Sequence, residues 1–248
     1  MANKPNPRIQ RPVAKRTSKG RSSSPFKRMM MRVVLWAVII AGGYILLCSI
    51  SLFCMRWVNP WFTTVQVQRR VESWFKKGHY QKRRTQVPIG RISIYLQHAA
   101  VASEDARFYQ HHGIDWQTIE QLVQEDVGEG KISRGGSTIT QQLIKNLFAT
   151  THRNFLRKGL EFTLAPVAEF LLSKQRILEL YLNNIEWGPG VYGAEAAAQF
   201  YYRVPAANLS RDQSARLAVC IPSPLHRRPA QMEYAAGIIL ERMQHMGW

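Results

Sequence analysis

Val33 to Met55 reads VVLWAVIIAGGYILLCSISLFCM and contains no charged residue. As one helix, such a run crosses a hydrocarbon core of roughly 30 Å, a span that takes about 20 residues. It predicts a transmembrane helix over 33–55 that is retained: the basic region ahead of it is long, the apolar run exceeds the ~7–15 residues of a signal peptide, and no small-x-small cleavage pattern follows. Charge supports the same reading. The chain has 34 Lys and Arg against 16 Asp and Glu, a net charge of +18, and residues 1–32 hold ten of the basic residues and none of the acidic ones. Rich in Ser and Pro, that segment reads as a basic, disordered tail. Basic residues on the amino side of a span stay in the cytoplasm, so everything after Arg56 is expected to face outward.

The same placement narrows the partners. Beyond residue 32 the balance falls to +8, and no interleaved aromatic RNA-type motif occurs, so nucleic acid is not expected. Membrane lipid is. Residues 56–84, with WVNPWF and WFKKGHYQKRR, mix aromatic rings with long basic side chains that favour the headgroup region, and read as a membrane-proximal linker. Cys48, Cys54 and Cys220 form no metal-ligand pattern.

From Ile92 onward apolar residues recur at three and four spacing, as in ISIYLQHAAVAS, LIKNLF, RILELYL and SARLAVCI. No stretch shows sustained alternation, so the expected fold is an all-α domain over 85–248. Ser210 with Gln213 marks a capping-box helix start, and Pro222 and Pro224 follow that helix's end. The breaks VGEGKISRGG and EWGPGVYG carry turn glycines.

Three stretches hold more functional groups than folding requires. In GGSTITQQLIKN, Gly135 to Asn146, a helix from Ser137 on would set Thr138, Gln142 and Lys145 on one side and bury Ile139, Leu143 and Leu147 on the other. Its plain reading is a capped amphipathic helix. In EDARFYQHHG, Glu104 to Gly113, adjacent carboxylates end an apolar helix. If helical geometry persists, Glu104 and Phe108 share a face, while Asp105 points elsewhere and orients the turn. A Glu among apolar neighbours has its pKa pushed upward, which suits a general base near neutral pH. His111 and His112 are more often turn residues than ligands. In RNFLRKGLE, Arg153, Arg157 and Lys158 make a cationic strip and Glu161 lies one turn beyond Arg157. On a solvated surface these pairs are worth only tenths of a kcal/mol; as a site, three cations near a carboxylate can bind a polyphosphate, directly or with a divalent ion between carboxylate and phosphate.

Taken in order, EDxxFxxHxG at 104–113, GGSTITQQLIKN at 135–146, RKxxE at 157–161 and KxxILExYLN at 174–183 resemble the motifs of the peptidoglycan glycosyltransferases, the family of the amino-terminal half of bifunctional penicillin-binding proteins and of the monofunctional biosynthetic transglycosylases. With the sequence ending at Trp248, the monofunctional form is the expectation. The resemblance implies a lysozyme-like, two-lobed helical domain on the outer, periplasmic face of a bacterial inner membrane. It implies polymerisation of lipid II onto a growing glycan strand with release of polyprenyl diphosphate, alongside other cell-wall synthesis or division proteins. By match, Glu104 is the catalytic base. Glu161 is the family's second glutamate, holding a divalent cation (Mg2+ or Mn2+) or orienting the cations. Asp105, Phe108 and His111 shape the first site. Gly135, Gly136, Ser137, Thr138, Gln141, Gln142 and Asn146 bind or approach substrate, and Lys145, Arg153, Arg157 and Lys158 offset the departing diphosphate. Two alternatives are a lysozyme-type glycan-cleaving enzyme, which needs no phosphate site, and a non-enzymatic basic membrane-anchored binding protein.

Overall fold

The computed structural model describes residues 25–75, 80–129, 136–152 and 154–248. Gly135 and Arg153 therefore lie outside the described residues, as does the tail before residue 25. The described residues divide into two units, one ending at Gly43 and the other spanning Tyr44–Trp248. Helix α1 (Pro25–Cys54) contains the apolar run, with mean hydropathy 2.5 over its most apolar window. Within residues 25–43 its large apolar side chains are exposed, among them Trp36 and Ile40. That is the surface a helix presents when lipid is its solvent, and it is consistent with a single-pass anchor.

The second unit is built from helices whose apolar stripes the periodicity located. Helices α3 (Ile94–Glu104) and α9 (Arg211–Cys220) bury Ala99, Ala100, Ala102, Ala215 and Ala218. Small side chains allow such helices to approach closely, and Ser93 and Leu209 tie their entrances together through a 2.9 Å hydrogen bond. The Ser210–Gln213 capping box at the start of α9 is formed reciprocally. Helix α5 (Ile139–Phe148) packs between α6 (Phe155–Leu171) and α7 (Lys174–Asn184), with Ile139, Leu143 and Leu147 buried as expected. It starts at Ile139 rather than Ser137, because Thr138 is the N-cap and closes a second capping box with Gln141.

Two features escaped the sequence. Arg83–Arg84 (β1), Glu186–Gly188 (β2) and Val191–Tyr192 (β3) form a small sheet in the order β1-β3-β2, β1–β3 parallel and β2–β3 antiparallel. Strands of two or three residues are too short to show alternation. Within 56–84, helix α2 (Thr64–Phe75) docks on the end of α5: Thr64 Oγ1 donates to the Leu147 carbonyl at 2.7 Å and Gln68 Nε2 to Thr151 Oγ1 at 2.7 Å. The KxxILExYLN stretch is a brace. Glu179 accepts from the Ile89 N–H at 2.9 Å, and the Asn183 side chain bonds both the N–H and the carbonyl of Val87, at 3.0 and 2.8 Å.

Candidate active site

Glu104 is the last residue of α3. Asp105 leaves the helix with φ −163°, so helical geometry does not persist and Glu104 and Phe108 do not share a face. Phe108 is fully buried, with the Lys174 ammonium 4.4 Å from its ring centroid. It supports the turn from beneath and presents nothing to a ligand.

The Glu104 carboxylate is held by α5 and α7 together. Gln142 Nε2 donates to Glu104 Oε2 at 2.8 Å, and Ser103 Oγ donates to Oε1 at 3.3 Å. Gln142 Oε1 accepts from the Tyr181 hydroxyl at 2.9 Å. Since Tyr181 is buried and aims its O–H at the amide oxygen, the Gln142 NH2 must face Glu104. Burial pushes the Glu104 carboxyl above its ordinary value, more than the bonds from Gln142 and Ser103 and the charges of Lys145 and Arg227 pull it down. A carboxylate so placed is a stronger base than one in water.

Asp105 organises the turn instead. Its two oxygens lie 2.9 and 3.0 Å from His111 Nε2, and Oδ2 also accepts from the Ile139 N–H at 2.9 Å, at the positive end of α5. His111 Nδ1 accepts from the Gly113 N–H at 3.2 Å, so the neutral ring carries its proton on Nε2, toward Asp105. Thr138 Oγ1 donates to the Gly113 carbonyl at 2.7 Å. The ligand atoms of Asp105, His111 and Asp115 lie within 4.8 Å of one another, close enough to hold a metal ion. Each is nonetheless satisfied: Asp115 accepts from Thr118 at 2.7 Å and faces Arg107 Nε at 3.2 Å. The cluster works as a hydrogen-bonded hub joining the end of α3 to the start of α5.

Beside Glu104 lies the cationic face. On α6, capped by Asn154, Arg157 Nε and Lys158 Nζ each approach a different oxygen of the buried Glu161 at 3.3 Å. Lys158 also donates to Ser137 Oγ at 3.1 Å, which brings the GGSTITQQLIKN and RNFLRKGLE stretches together. Burial pushes the Lys145 ammonium down and Arg157 and Lys158 push it further; Glu161 and Glu104 oppose them. An anion bound beside these cations would relieve that repulsion. Gly136, at φ +80°, sits where a Cβ would be 3.0 Å from Leu122.

Glu104, Ser137, Gln142, Lys145, Arg157, Lys158 and Glu161 thus share one neighbourhood. Asp105, Phe108, His111, Thr138, Gln141 and Asn146 are buried and shape it from behind; Asn146, for example, donates to the Gln142 carbonyl at 2.7 Å. The sequence reading missed Tyr181, Ser103 and Arg227. Tyr181 stands inside the KxxILExYLN stretch, where its periodicity reads as core. Arg227 donates to the Val219 carbonyl at 2.6 Å, next to the Ala218 carbonyl that Ser103 Oγ approaches at 3.5 Å, and no pattern marks it.

Tyr181 is a positioning residue with a distinct signature. In Tyr181→Phe the Gln142 amide loses the bond that orients it and turns its oxygen toward Glu104, which disfavours the carboxylate. Turnover is expected to fall about tenfold, the worth of one such hydrogen bond, and the acid limb of the pH–rate profile to move to higher pH. A limb that stays in place would reduce Tyr181 to packing.

A family model described as Transglycosylase matches residues 69–244 of the chain. Proteins named biosynthetic peptidoglycan transglycosylase are similar over most of its length. That of Herminiimonas arsenicoxydans is 41% identical over 224 residues, 87% of this chain and 97% of its own. That of Neisseria meningitidis serogroup C is 38% identical over 227 residues, 86% and 95% of the two. That of Thiobacillus denitrificans is 56% identical over 138 residues, 56% and 60% of the two.

Proposed function

Because the chain belongs to the transglycosylase family and is a peptidoglycan glycosyltransferase that builds glycan strands in cell-wall synthesis, we propose that the cleft beside Glu104 polymerises lipid II. The observation that carries this reading is the Glu104 carboxylate, held by Gln142, close to Lys145 and to the Arg157–Lys158–Glu161 group. Glu104 takes the proton from the acceptor sugar's 4-hydroxyl as that oxygen bonds to the anomeric carbon of the growing strand. The bond from that carbon to the diphosphate oxygen breaks on the opposite face, so configuration inverts and polyprenyl diphosphate leaves as an anion. A leaving diphosphate needs no protonation by a second carboxylic acid, unlike the sugar oxygen released by a glycosidase. It needs positive charge fixed in place beforehand, which the cationic face supplies. Glu161 serves by holding Arg157 and Lys158 in position, and Ser137 by anchoring Lys158. Arg153 joins this group as a candidate through its place in the cationic strip RNFLRKGLE.

A resident divalent ion at Glu161 fits poorly. One carboxylate already facing two cations is not an ion cage, and hard cations such as Mg2+ or Mn2+ require several oxygen ligands. Mg2+ or Mn2+ would bind here with the diphosphate supplying most of the oxygens, and no step above depends on it. We place residues 1–32 in the cytoplasm as a tail, 33–55 in the inner membrane, 56–84 at its outer surface and the domain 85–248 on the periplasmic face, where a lipid-linked substrate arrives within the bilayer.

Purified full-length protein with lipid II, assayed with and without chelator, tests the reading. Polymer is expected in both cases; release of soluble muropeptides from sacculi without polymer formation would favour the glycan-cleaving alternative. Lys145→Ala and Arg157→Ala are each expected to lower kcat/KM about 10²-fold with little change in Tm. Unchanged kinetics in both would rule out the diphosphate role.

A further inference from the structure

An open cavity of about 480 Å³ is lined by none of the residues grouped around Glu104. Arg83 and Arg84 of β1, Arg203 at the end of α8 (Ala194–Tyr202), Gln199 and Phe200 line it. A solvated basic face is the ordinary reading of exposed arginines. Three observations argue for a binding site instead.

First, three arginines line the cavity against a single carboxylate. Glu195 is its one lining carboxylate, and both oxygens are engaged: Oε2 accepts from the Ala206 N–H at 2.7 Å and Oε1 from Gln199 Nε2 at 3.2 Å. The repulsion is felt nearby, where burial and then the charge of Arg84 push the Lys82 ammonium below its ordinary value. Second, Arg203 is the one non-glycine residue with positive φ among the described residues, at 61°. That backbone costs an L-residue roughly 1–2 kcal/mol, and Gly or Asn would relieve it. An arginine held there directs a long cation to the cavity. Third, the guanidinium of Arg83 stands 4.9 Å over the Phe200 ring, which holds it in place, and its Nη2 donates to Gln81 Oε1 at 3.0 Å.

The surroundings identify the anion. Arg84 donates to the carbonyls of Pro60 and Trp61 and, at 2.8 Å, to Asn184 Oδ1, so the cavity is fastened to the chain just past the end of α1 at Cys54. Trp57, Trp61 and Phe62 are exposed there, Trp61 at 86%. Aromatic rings flanking the end of an apolar helix belong at the level of lipid headgroups. The charged group abundant in that layer is phosphate, whose oxygens match the guanidinium fork.

The geometry points to a site for the phosphate of an anionic phospholipid headgroup, held by Arg83 and Arg203. The test uses the full chain in nanodiscs of phosphatidylcholine with or without phosphatidylglycerol, reading amide hydrogen exchange over 83–85 and 196–203. Phosphatidylglycerol is expected to slow exchange in both segments about tenfold, as two arginines near an anionic surface allow. Arg83→Gln with Arg203→Asn should abolish that difference and leave polymerisation in phosphatidylcholine unchanged, since Asn tolerates the left-handed backbone. Equal exchange in the two disc types would overturn the site, as would protection that survives in the double variant. Inorganic phosphate protecting the segments in phosphatidylcholine discs, where phosphatidylglycerol does not, would overturn the lipid assignment. The comparison of disc types with the unaltered chain stands even if the double variant folds poorly.

Discussion

Glu104→Gln is expected to lower lipid II polymerisation about 10³-fold without lowering Tm. The loss follows from removing the group that accepts the 4-hydroxyl proton; the retained fold follows from linkage. Burial raises the Glu104 carboxyl above its ordinary value of 4.5. Between that value and the raised folded value, the folded protein holds a proton that the unfolded chain has released. Stability therefore falls as pH rises through this window, and above it the ionised carboxylate is a net cost to folding. Glutamine removes the cost while keeping the size of the side chain, so Tm should stay level or rise. The pH dependence of the natural enzyme has the opposite sense: activity requires the ionised form and is lost as pH falls through the raised value. Near-normal polymer synthesis by Glu104→Gln would sink the assignment of the base, and a large drop in Tm would trace its inactivity to misfolding.

Gly113→Ala is expected to destabilise the protein by about 3 kcal/mol, combining left-handed backbone strain with a core clash. Gly113 has φ +93°, and a Cβ there would lie 2.7 Å from the carbonyl carbon and 2.8 Å from the carbonyl oxygen of Ala165. Those atoms belong to the α6 backbone and cannot yield as a flexible side chain would. The same loop anchors Thr138 through its carbonyl and His111 through its N–H, so the start of α5 and the Asp105 hub loosen with it. A fall in Tm of several degrees, roughly 2–4 °C per kcal/mol at this size, should accompany lost activity. Gly159→Ala is the control: its Cβ meets nothing within 4 Å on the exposed side of α6, and alanine should stabilise the helix by about 0.5–1 kcal/mol. Equal effects of the two substitutions would show that the approach to Ala165 is not what demands glycine at 113.

Much of the molecule was legible without coordinates where the controlling interactions are local. The apolar run of α1, the stripe of Ile139, Leu143 and Leu147, the Ser210–Gln213 box and the spacing of Arg157, Lys158 and Glu161 all depend on neighbours three or four residues apart. Phe108 shows where that logic failed. Helical spacing put it beside Glu104, but α3 stops at Asp105, whose side chain is claimed by His111 and by the amide of Ile139, 34 residues away.

The sequence by itself determined the apolar amino-terminal helix, the helical class and the residue types of the candidate site, because each is written in composition, periodicity or fixed spacing. Tertiary structure alone decided which of those residues meet. The bond from Gln142 to Glu104 spans 38 residues and that from Tyr181 to Gln142 spans 39. The tie between Arg84 and Asn184 spans 100. Such contacts form only once helix packing has closed the long loops between them, and no local pattern encodes that closure. The same packing partly desolvates Glu104 and pushes its carboxyl above the ordinary value, a change that its motif alone does not encode.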